Sequence, residues 1–299
     1  MSSLLSVGDL TPAELRRLVE VARDLKRAPQ LGAGKLAGKT IGLFFEKPSL
    51  RTWVSCDVAA VQLGAHPVAI RNEEAGLGTR EPAEDMGKVL GRYLDALGMR
   101  VRRHTDLETV AAVAGIPVVN LLSDREHPCQ ALADLVTIAE RVGNTPRVAF
   151  VGDGNNVCHS LMLAVTMWGG SIRVATPPGY EPHSEVVASA RRWGEVELGD
   201  DPRWAVEGAQ VVYTDVWASM GQESEADQRR RAFEGFVVDS DLMDSADSSA
   251  VFMHCLPAHR GEEVTAEVLE GPRSVVFDQA ENRLHAFKAV LLWMFGVVD

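Results

Sequence analysis

The stretch "LFFEKPSLRTWVS", from Leu43 to Ser55, passes from an apolar run through a short polar turn into a helical pattern. Pro48 favours the turn, because its ring fixes one backbone angle and its nitrogen has no hydrogen to donate. Similar pairs of an apolar run and a helical pattern recur along the chain. The sequence therefore predicts the α/β class, with two domains that each contain a mainly parallel sheet flanked by helices.

Short apolar runs mark the predicted strands, and the segments between them have the spacing of amphipathic helices. The strands are predicted at 41–45, 67–70, 96–99, 117–121, 147–151, 171–175, 210–214, 251–254 and 274–277. The main helices are predicted at 51–63, 82–90, 107–114, 129–142, 156–167 and 183–192.

A domain boundary is predicted near Gly143 and Pro146, where "RVGNTPRVAF" restarts the pattern after a helix. Residues 1–142 would form the first domain and 143–277 the second, and the apolar helical segment 278–299 would pack back on the first. Ligands of open α/β sheets bind beyond the carboxyl ends of the strands. We therefore expect the active site in the cleft between the two domains.

The composition argues against some classes of partner. The chain has 299 residues and a formal net charge of -12, which disfavours binding to nucleic acid or to an anionic membrane. No uninterrupted run of about 18 apolar residues suggests a membrane span. The basic runs at 100–104 and 227–231 do not change this, and we interpret Arg229 to Arg231 as a solvated helix face.

The N-terminal segment and the cysteines predict a cytoplasmic protein. Thr11, Pro12 and Glu14 have the pattern of a capped helix start, so this segment is expected to belong to the fold rather than to a signal peptide. The cysteines lack CxxC spacing and the density of a disulfide framework, which favours reduced thiols and indicates no metal site. They are Cys56, Cys129, Cys158 and Cys255.

The first candidate site is the turn after the first strand. The N-terminus of a helix has unpaired amide groups and a partial positive charge that favour an anion. Ser49 and Thr52 add hydroxyl groups there, and Arg51 adds a guanidinium that matches phosphate oxygens. The alternative is that Ser49 only caps the helix while Arg51 and Thr52 face solvent. The glycines and the lysine of a P-loop are absent.

A second candidate lies in "SDREHPCQALADL", residues 123–135. His127 precedes Pro128 at a predicted helix start, and Gln130 follows three residues later, so both can face one ligand. Arg100, just past the strand at 96–99, brings another basic group to the same sheet edge. The alternative is a capping histidine with a surface glutamine.

The segment "VAFVGDGNNVCHSLML", residues 148–163, has Gly152 and Gly154 after a strand, as dinucleotide-binding folds do. The third glycine position is Val157, however, and the next strand ends in "VATPPG" without an acidic residue for a ribose. We therefore disfavour a dinucleotide cofactor. Asn155 and Asn156 could offer amide groups to a polar substrate, or could belong to a turn and a helix cap.

Two further motifs follow later strands. Asp215 ends the strand in "VVYTDVWASMGQE" and suits a substrate ammonium group, or alternatively a helix N-cap. Cys255 follows the strand in "VFMHCLPAHRGEEVT", where Leu256 and Pro257 end the apolar run. A buried cysteine is usually inert packing. The polar residues around this one favour a substrate contact instead.

These five motifs, in this order, resemble those of the aspartate/ornithine carbamoyltransferase family. "SLRT" is similar to the carbamoyl phosphate signature S-x-R-T, and "HPCQ" is similar to H-P-x-Q. "DVWASMGQE" and "HCLPAHRG" resemble the ornithine branch, because the aspartate enzymes carry a proline in place of the cysteine. The resemblance extends from about Leu43 to Arg283, which is most of the chain.

The resemblance implies that the chain transfers the carbamoyl group from carbamoyl phosphate to the side-chain amine of L-ornithine, giving L-citrulline and phosphate. This is a step of arginine biosynthesis or of a urea-cycle type of pathway, and it needs no metal or organic cofactor. The resemblance also implies a homotrimer or a multiple of trimers. Two alternatives remain: another ornithine-like amine as acceptor, or a non-catalytic homologue with a binding role.

Residue roles are implied position by position. The carbamoyl phosphate residues would be Ser49, Leu50, Arg51, Thr52, Arg100, His127, Gln130 and Arg283. The ornithine residues would be Asn156, Asp215, Ser219, Met220, Cys255 and Leu256. The catalytic residues would be Arg100, His127, Asp215 and Cys255. The reaction needs an uncharged amine, and a dry, cation-rich site favours one, although the pKa of such an amine in water is about 10.4.

The chain departs from the family pattern at two positions on the donor side. Trp53 stands where the family usually has a second arginine, and Gly76 stands where it often has glutamine or histidine facing the neighbouring subunit. Our hypothesis is that binding of carbamoyl phosphate is either weakened or helped by another group, for example Arg80. The ornithine motifs show no such departure.

Overall fold

The computed structural model describes residues 2–218 and 225–298. The chain forms two compact units, one of residues 1–136 with 281–299 and the other of residues 137–280. The two candidate ornithine residues Ser219 and Met220 lie outside the described residues. None of the helices within the described ranges has the length and apolar character needed to cross a membrane.

The first unit contains a four-stranded sheet in the order β2-β1-β3-β4, and its pairings are parallel. The strands are β1 (Thr40–Phe45), β2 (His66–Arg71), β3 (Ala96–Arg100) and β4 (Val118–Leu122). Because all of them run in one direction, their carboxyl ends lie at one edge of the sheet. The segments that follow Phe45, Arg100 and Leu122 carry the predicted donor motifs.

Helices connect and cover these strands. They are α1 (Pro12–Arg27), α2 (Leu50–Gln62), α3 (Asn72–Ala75), α4 (Ala83–Leu90), α5 (His104–Ala114) and α6 (Pro128–Arg141), with 3-10 turns at Val7–Asp9 and Pro29–Leu31. At the start of α1, the Thr11 hydroxyl accepts from the Glu14 amide, and the Glu14 carboxylate accepts from the Thr11 amide. The predicted capping box is therefore present.

The second unit contains a five-stranded parallel sheet in the order β7-β6-β5-β8-β9. Its strands are β5 (Arg147–Val151), β6 (Ser171–Ala175), β7 (Val196–Gly199), β8 (Val211–Thr214) and β9 (Val251–His254). The helices are α7 (Asn156–Trp168), α8 (Ser184–Ala190), α9 (Pro202–Val206), α10 (Ala226–Ala232), α11 (Ser240–Asp244) and α12 (Ala266–Leu269).

The last helix, α13 (Val276–Met294), differs from the prediction at its start. The run at 274–277 was predicted as a strand, but Ser274 forms only an isolated bridge with Phe252 before the helix begins. Conversely, the edge strand β7 is absent from the prediction, because "VELG" has only two apolar residues and is largely half-buried or exposed. The other predicted strands coincide with observed ones to within a residue at each end.

Candidate active site

Arg283, in α13, connects three of the predicted donor residues and is only 6% exposed. Its Nη2 donates to Thr52 Oγ1 at 2.9 Å. Its Nη1 donates to Gln130 Oε1 and, at 3.2 Å, to His127 Nε2. One guanidinium therefore joins the start of α2, the start of α6 and the C-terminal helix. We call these four residues the Arg283 cluster.

The start of α2 has no side-chain cap. Ser49 occupies the N-cap position, but its hydroxyl donates to Thr52 Oγ1 at 3.1 Å and makes no capping bond to a helix amide. The first amide groups of the helix therefore keep their binding capacity and their partial positive charge. Leu50 is 72% exposed and Arg51 is half-buried at the same turn. The simple capping alternative for Ser49 is wrong.

Arg100 and His127 form the buried part of the donor side. Arg100 ends β3, in register with Phe45 at the end of β1, and is 7% exposed. Burial, together with the nearby Arg283 and Arg100 charges, holds the pKa of His127 well below its usual range. His127 is therefore neutral at physiological pH, and the hydrogen bond from Arg283 to its Nε2 places its proton on Nδ1.

Gln130 is held in one orientation by the next turn of α6. Its Nε2 donates to Asp134 Oδ1 at 2.8 Å, and its Oε1 accepts the hydrogen bond from Arg283. Two thiols lie near this guanidinium, and burial raises the pKa of both: that of Cys129 to about 12, and that of Cys56 further. Both thiols stay protonated, and they serve as packing rather than as nucleophiles.

Asp215 and Cys255 lie together in the second unit. Cys255 Sγ donates to Asp215 Oδ1 at 3.1 Å, and Asn155 Nδ2 donates to Asp215 Oδ2 at 2.8 Å. Asn155 also caps α7, because its Oδ1 accepts from the amides of Val157 and Cys158. Asn156, to which the resemblance assigns ornithine binding, is the buried first residue of α7, and its neighbour Asn155 makes the contact with Asp215.

The chain turns sharply after Cys255. Leu256 has a left-handed backbone with a φ of 57°, a conformation that costs a residue with a side chain about 1 kcal/mol or more. Its amide donates to His254 Nδ1 at 2.8 Å. The other nitrogen of that ring faces Glu263 Oε1 at 3.1 Å. The polar partners of His254 therefore fix the turn that presents the Cys255 thiol and the Leu256 carbonyl.

Arg229 contradicts the sequence analysis, which placed Arg229 to Arg231 on a solvated helix face. It is 6% exposed, and its Nη1 donates to Asp153 Oδ2 at 2.9 Å and to the Trp217 carbonyl at 2.8 Å. Arg230 and Arg231 are exposed, as predicted. Phe233, four residues on, is fully buried. The helical spacing of an arginine with an aromatic residue was the available signal that Arg229 faces inward.

Asp153 is the buried partner of Arg229 and was missed by the sequence analysis. Burial raises the pKa of its carboxyl to about 6, and the Arg229 charge opposes that rise. The guanidinium also lies 5.0 Å from the centre of the Tyr180 ring. Trp217 lies two residues before Ser219, so the hydrogen bond from Arg229 to its carbonyl holds the chain just ahead of the predicted ornithine residues Ser219 and Met220.

Among the described residues, two groups of side chains could hold a cation. Asp215, His254 and Cys255 offer ligand atoms that lie within 4.8 Å of one another, as do His259, Glu262 and Glu263. The Cys/His spacing had indicated no metal site, and spacing alone does not reveal the first group. Both ring nitrogens of His254 already have hydrogen-bond partners, so a metal ion there would have to displace one of them.

The two departures on the donor side have clear structural settings. Trp53 is 40% exposed, and its ring centre lies 5.6 Å from the guanidinium carbon of Arg71. Gly76 has a φ of 73°, and a Cβ atom there would come 2.6 Å from the Cβ of Arg80. A side chain at position 76 would thus disturb this loop. Arg80 Nη1 donates to the Glu74 carbonyl at 3.4 Å, within the same loop.

Comparison with known proteins places these features in a family. The family model "Aspartate/ornithine carbamoyltransferase, carbamoyl-P binding domain" matches residues 2–140. The model "Aspartate/ornithine carbamoyltransferase, Asp/Orn binding domain" matches residues 145–294. Together the two models cover nearly the whole chain.

Relatives from several organisms agree. The chain is 52% identical to an ornithine carbamoyltransferase of Hyperthermus butylicus, over 96% of this chain and 95% of the relative. It is similar to the solved ornithine carbamoyltransferase of Pyrococcus furiosus, with a TM-score of 0.94, 48% identity, and coverage of 100% and 98% of the two chains. The anabolic enzyme of Campylobacter jejuni gives a TM-score of 0.95 at 35% identity, with coverage of 99% and 100%. The chain belongs to the aspartate/ornithine carbamoyltransferase family.

Proposed function

We propose that the chain is an ornithine carbamoyltransferase, which transfers the carbamoyl group of carbamoyl phosphate to the side-chain amine of L-ornithine and releases L-citrulline and phosphate. The observation that carries the proposal is the Arg283 cluster, in which one buried guanidinium holds Thr52, His127 and Gln130. The names of the relatives support ornithine as the acceptor. In this proposal the first unit binds the donor and the second binds ornithine.

The donor residues divide between the phosphate and the carbonyl group. The open amides at the start of α2, with Ser49 to Thr52 and Arg283, would hold the phosphate oxygens. Arg100 and the Nδ1 hydrogen of neutral His127 would donate to the carbonyl oxygen, which gains negative charge as the amine attacks. Gln130 would orient the carbamoyl group through its fixed amide. Phosphate then leaves with the electron pair of the broken carbon–oxygen bond and takes up the proton that the attacking nitrogen loses.

The acceptor residues would bind both ends of ornithine. The head group would be bound by Asn156, Asp215, Ser219 and Met220, while Cys255 and the Leu256 carbonyl contact the attacking amine. Attack requires the amine to lose a proton, and a cationic, water-poor donor site lowers its pKa by repulsion and desolvation. Neutral His127 adds no charge to this balance. The reaction joins an amine carrying a lone pair to an already activated carbonyl carbon, so the proposal includes no cofactor.

A citrulline assay with purified protein tests the proposal. We expect turnover with carbamoyl phosphate and L-ornithine, and much lower turnover with putrescine, N-acetylornithine or L-aspartate as the acceptor. Faster turnover with another amine would replace ornithine by that amine. Absence of turnover at millimolar substrates, with binding of carbamoyl phosphate retained, would show a non-catalytic homologue and refute the proposal.

The proposal includes assembly into a homotrimer, or a multiple of it, in the cytoplasm. Four apolar side chains on the outer face of α2 support association with a second copy, because solvated apolar faces of this kind often mark interfaces. They are Leu50, Trp53, Val54 and Val61, which are 72%, 40%, 49% and 56% exposed. Light scattering coupled to size exclusion should give three times the 32.4 kDa mass of the chain, or a multiple of that. A monomer would contradict this part.

A further inference from the structure

Arg71 ends β2 at the edge of the sheet where the donor site lies. Phe45 pairs in register with Arg71 on one side and with Arg100 on the other. Residues in register in a parallel sheet project from the same face, and two strand spacings place the two arginine Cα atoms about 9–10 Å apart. The last row of the sheet therefore carries two arginines that flank one phenylalanine.

Trp53 holds the Arg71 side chain over the first turn of α2. The guanidinium carbon lies 5.6 Å from the centre of the indole ring, which is the geometry of a cation–π contact. Trp53 directly follows Thr52, which accepts a hydrogen bond from Arg283. The ring thus places the guanidinium of Arg71 beside the first turn of α2, the turn that also carries Thr52.

The guanidinium of Arg71 has N–H groups that can donate hydrogen bonds to a ligand. Within residues 2–218 and 225–298, no carboxylate lies within ion-pair distance of it, although many exposed arginines of this chain do have such partners. A cation–π contact uses the face of the guanidinium and leaves its in-plane N–H groups available for the oxygens of an anion. An exposed arginine with no carboxylate partner among the described residues suits a dianionic phosphate.

We propose that Arg71 is a further phosphate-binding residue of the donor site and that Trp53 is its positioning residue. The proposal rests on the proposed function, since it names the ligand as the phosphate of carbamoyl phosphate. Trp53 stands where the resemblance leads one to expect an arginine. The pair therefore supplies the same turn with a guanidinium from the neighbouring strand.

The substitution Arg71→Gln tests the binding role. It removes the charge and retains a polar side chain of similar length at an exposed position. The Michaelis constant for carbamoyl phosphate should rise about tenfold, as expected for the loss of a hydrogen bond to a charged group, while that for L-ornithine stays unchanged. The matched control is Arg27→Gln, which removes an exposed arginine that donates to Asp24 Oδ1 within its own helix. An equal rise in the control, or no rise in Arg71→Gln, would overturn the assignment.

Substitutions of Trp53 test the positioning role. Trp53→Phe retains a ring beneath the guanidinium and should keep the wild-type constant for carbamoyl phosphate. Trp53→Leu retains apolar bulk without a π-face and should raise it about two- to fivefold. The turnover number at saturating substrate should change little in either variant. Equal effects of phenylalanine and leucine would refute positioning by the ring.

Direct binding separates this inference from the proposed function. Calorimetric titration with inorganic phosphate measures the Arg71 contact without turnover, and we expect the dissociation constant to rise about tenfold in Arg71→Gln. If the wild type makes no citrulline but this weakening is observed, the proposed function fails and the phosphate contact stands. If citrulline forms and phosphate binding is unaffected by Arg71→Gln, the phosphate contact fails and the function stands.

Discussion

Replacement of Arg229 by methionine removes the cation that balances buried Asp153 and one donor to the Trp217 carbonyl. Without Arg229, the buried Asp153 carboxylate is stabilised by taking up a proton. Because its pKa is about 6, this protonation costs about 1.4 kcal/mol at pH 7. The unpaired Trp217 carbonyl adds about 1–3 kcal/mol. We therefore expect Arg229→Met to lower the free energy of unfolding by about 3 kcal/mol.

The control variant lies next to it in α10. Arg230 forms exposed ion pairs with Asp227 and Glu262, so Arg230→Met should cost only about 0–1 kcal/mol. Urea unfolding, followed by circular dichroism, measures both variants. If Arg229→Met costs no more than Arg230→Met, the buried ion pair does not stabilise this unit as we argue.

The pH dependence sharpens the test. The folded pKa of Asp153 is raised from 3.8 to about 6, so its contribution to stability is fully present below pH 3.8 and is lost as the pH rises through about 6. At pH 5.5 the carboxyl is largely protonated in the wild type, and the charge part of the Arg229→Met effect should shrink. An Arg229→Met effect that is larger at pH 5.5 than at pH 8 would contradict this assignment of the proton.

Three further outcomes are expected. Because the pKa of His127 is well below its usual range, the pH profile of kcat should show no inflection near 6.5 from this residue. An inflection there that disappears in His127→Asn would contradict the neutral state of His127. Cys255→Ser retains a donor to Asp215 and should raise the ornithine KM less than Cys255→Ala; the reverse order in a citrulline assay would refute the role of the thiol hydrogen bond. Gly76→Ala places a Cβ atom at a φ of 73°, 2.6 Å from the Cβ of Arg80, and should lower the melting temperature, consistent with a loss of about 1–2 kcal/mol of folding free energy. Gly78→Ala, at the same φ but without a close neighbour, should lower it less. Equal shifts in the two variants would rule out the contact with Arg80 as the cause.

The fold was largely accessible to sequence reasoning, because parallel strands buried on both faces read as short apolar runs. The run at 274–277 misled it because an apolar run does not distinguish a strand from the start of a buried helix. Phe252 pairs only briefly with this segment before α13 begins. Strand β7 was missed for the opposite reason, since an edge strand needs few apolar residues.

Candidate site residues could be predicted where neighbouring residues form a motif with a chemical role, but contacts between residues far apart in sequence could not be predicted. The prediction of an anion-binding turn follows from Ser49, Arg51 and Thr52 in one helical turn. Nothing in the spacing of Asp153 and Arg229, however, shows that these side chains form an ion pair. The sequence also does not show that Asn155, rather than its neighbour, contacts Asp215, and the role of Asn156 in ornithine binding stays a prediction.

The four cysteines differ in exposure, so a thiol reagent should react with them at different rates. Cys56, Cys129 and Cys158 are at most 5% exposed, whereas Cys255 is half-buried beside Asp215. A maleimide or iodoacetamide probe should therefore modify Cys255 before the other thiols, and the rate of that modification tests the proposed contact between Cys255 and ornithine. Labelling that slows as ornithine is added would allow occupancy to be followed by mass spectrometry, without any measurement of product.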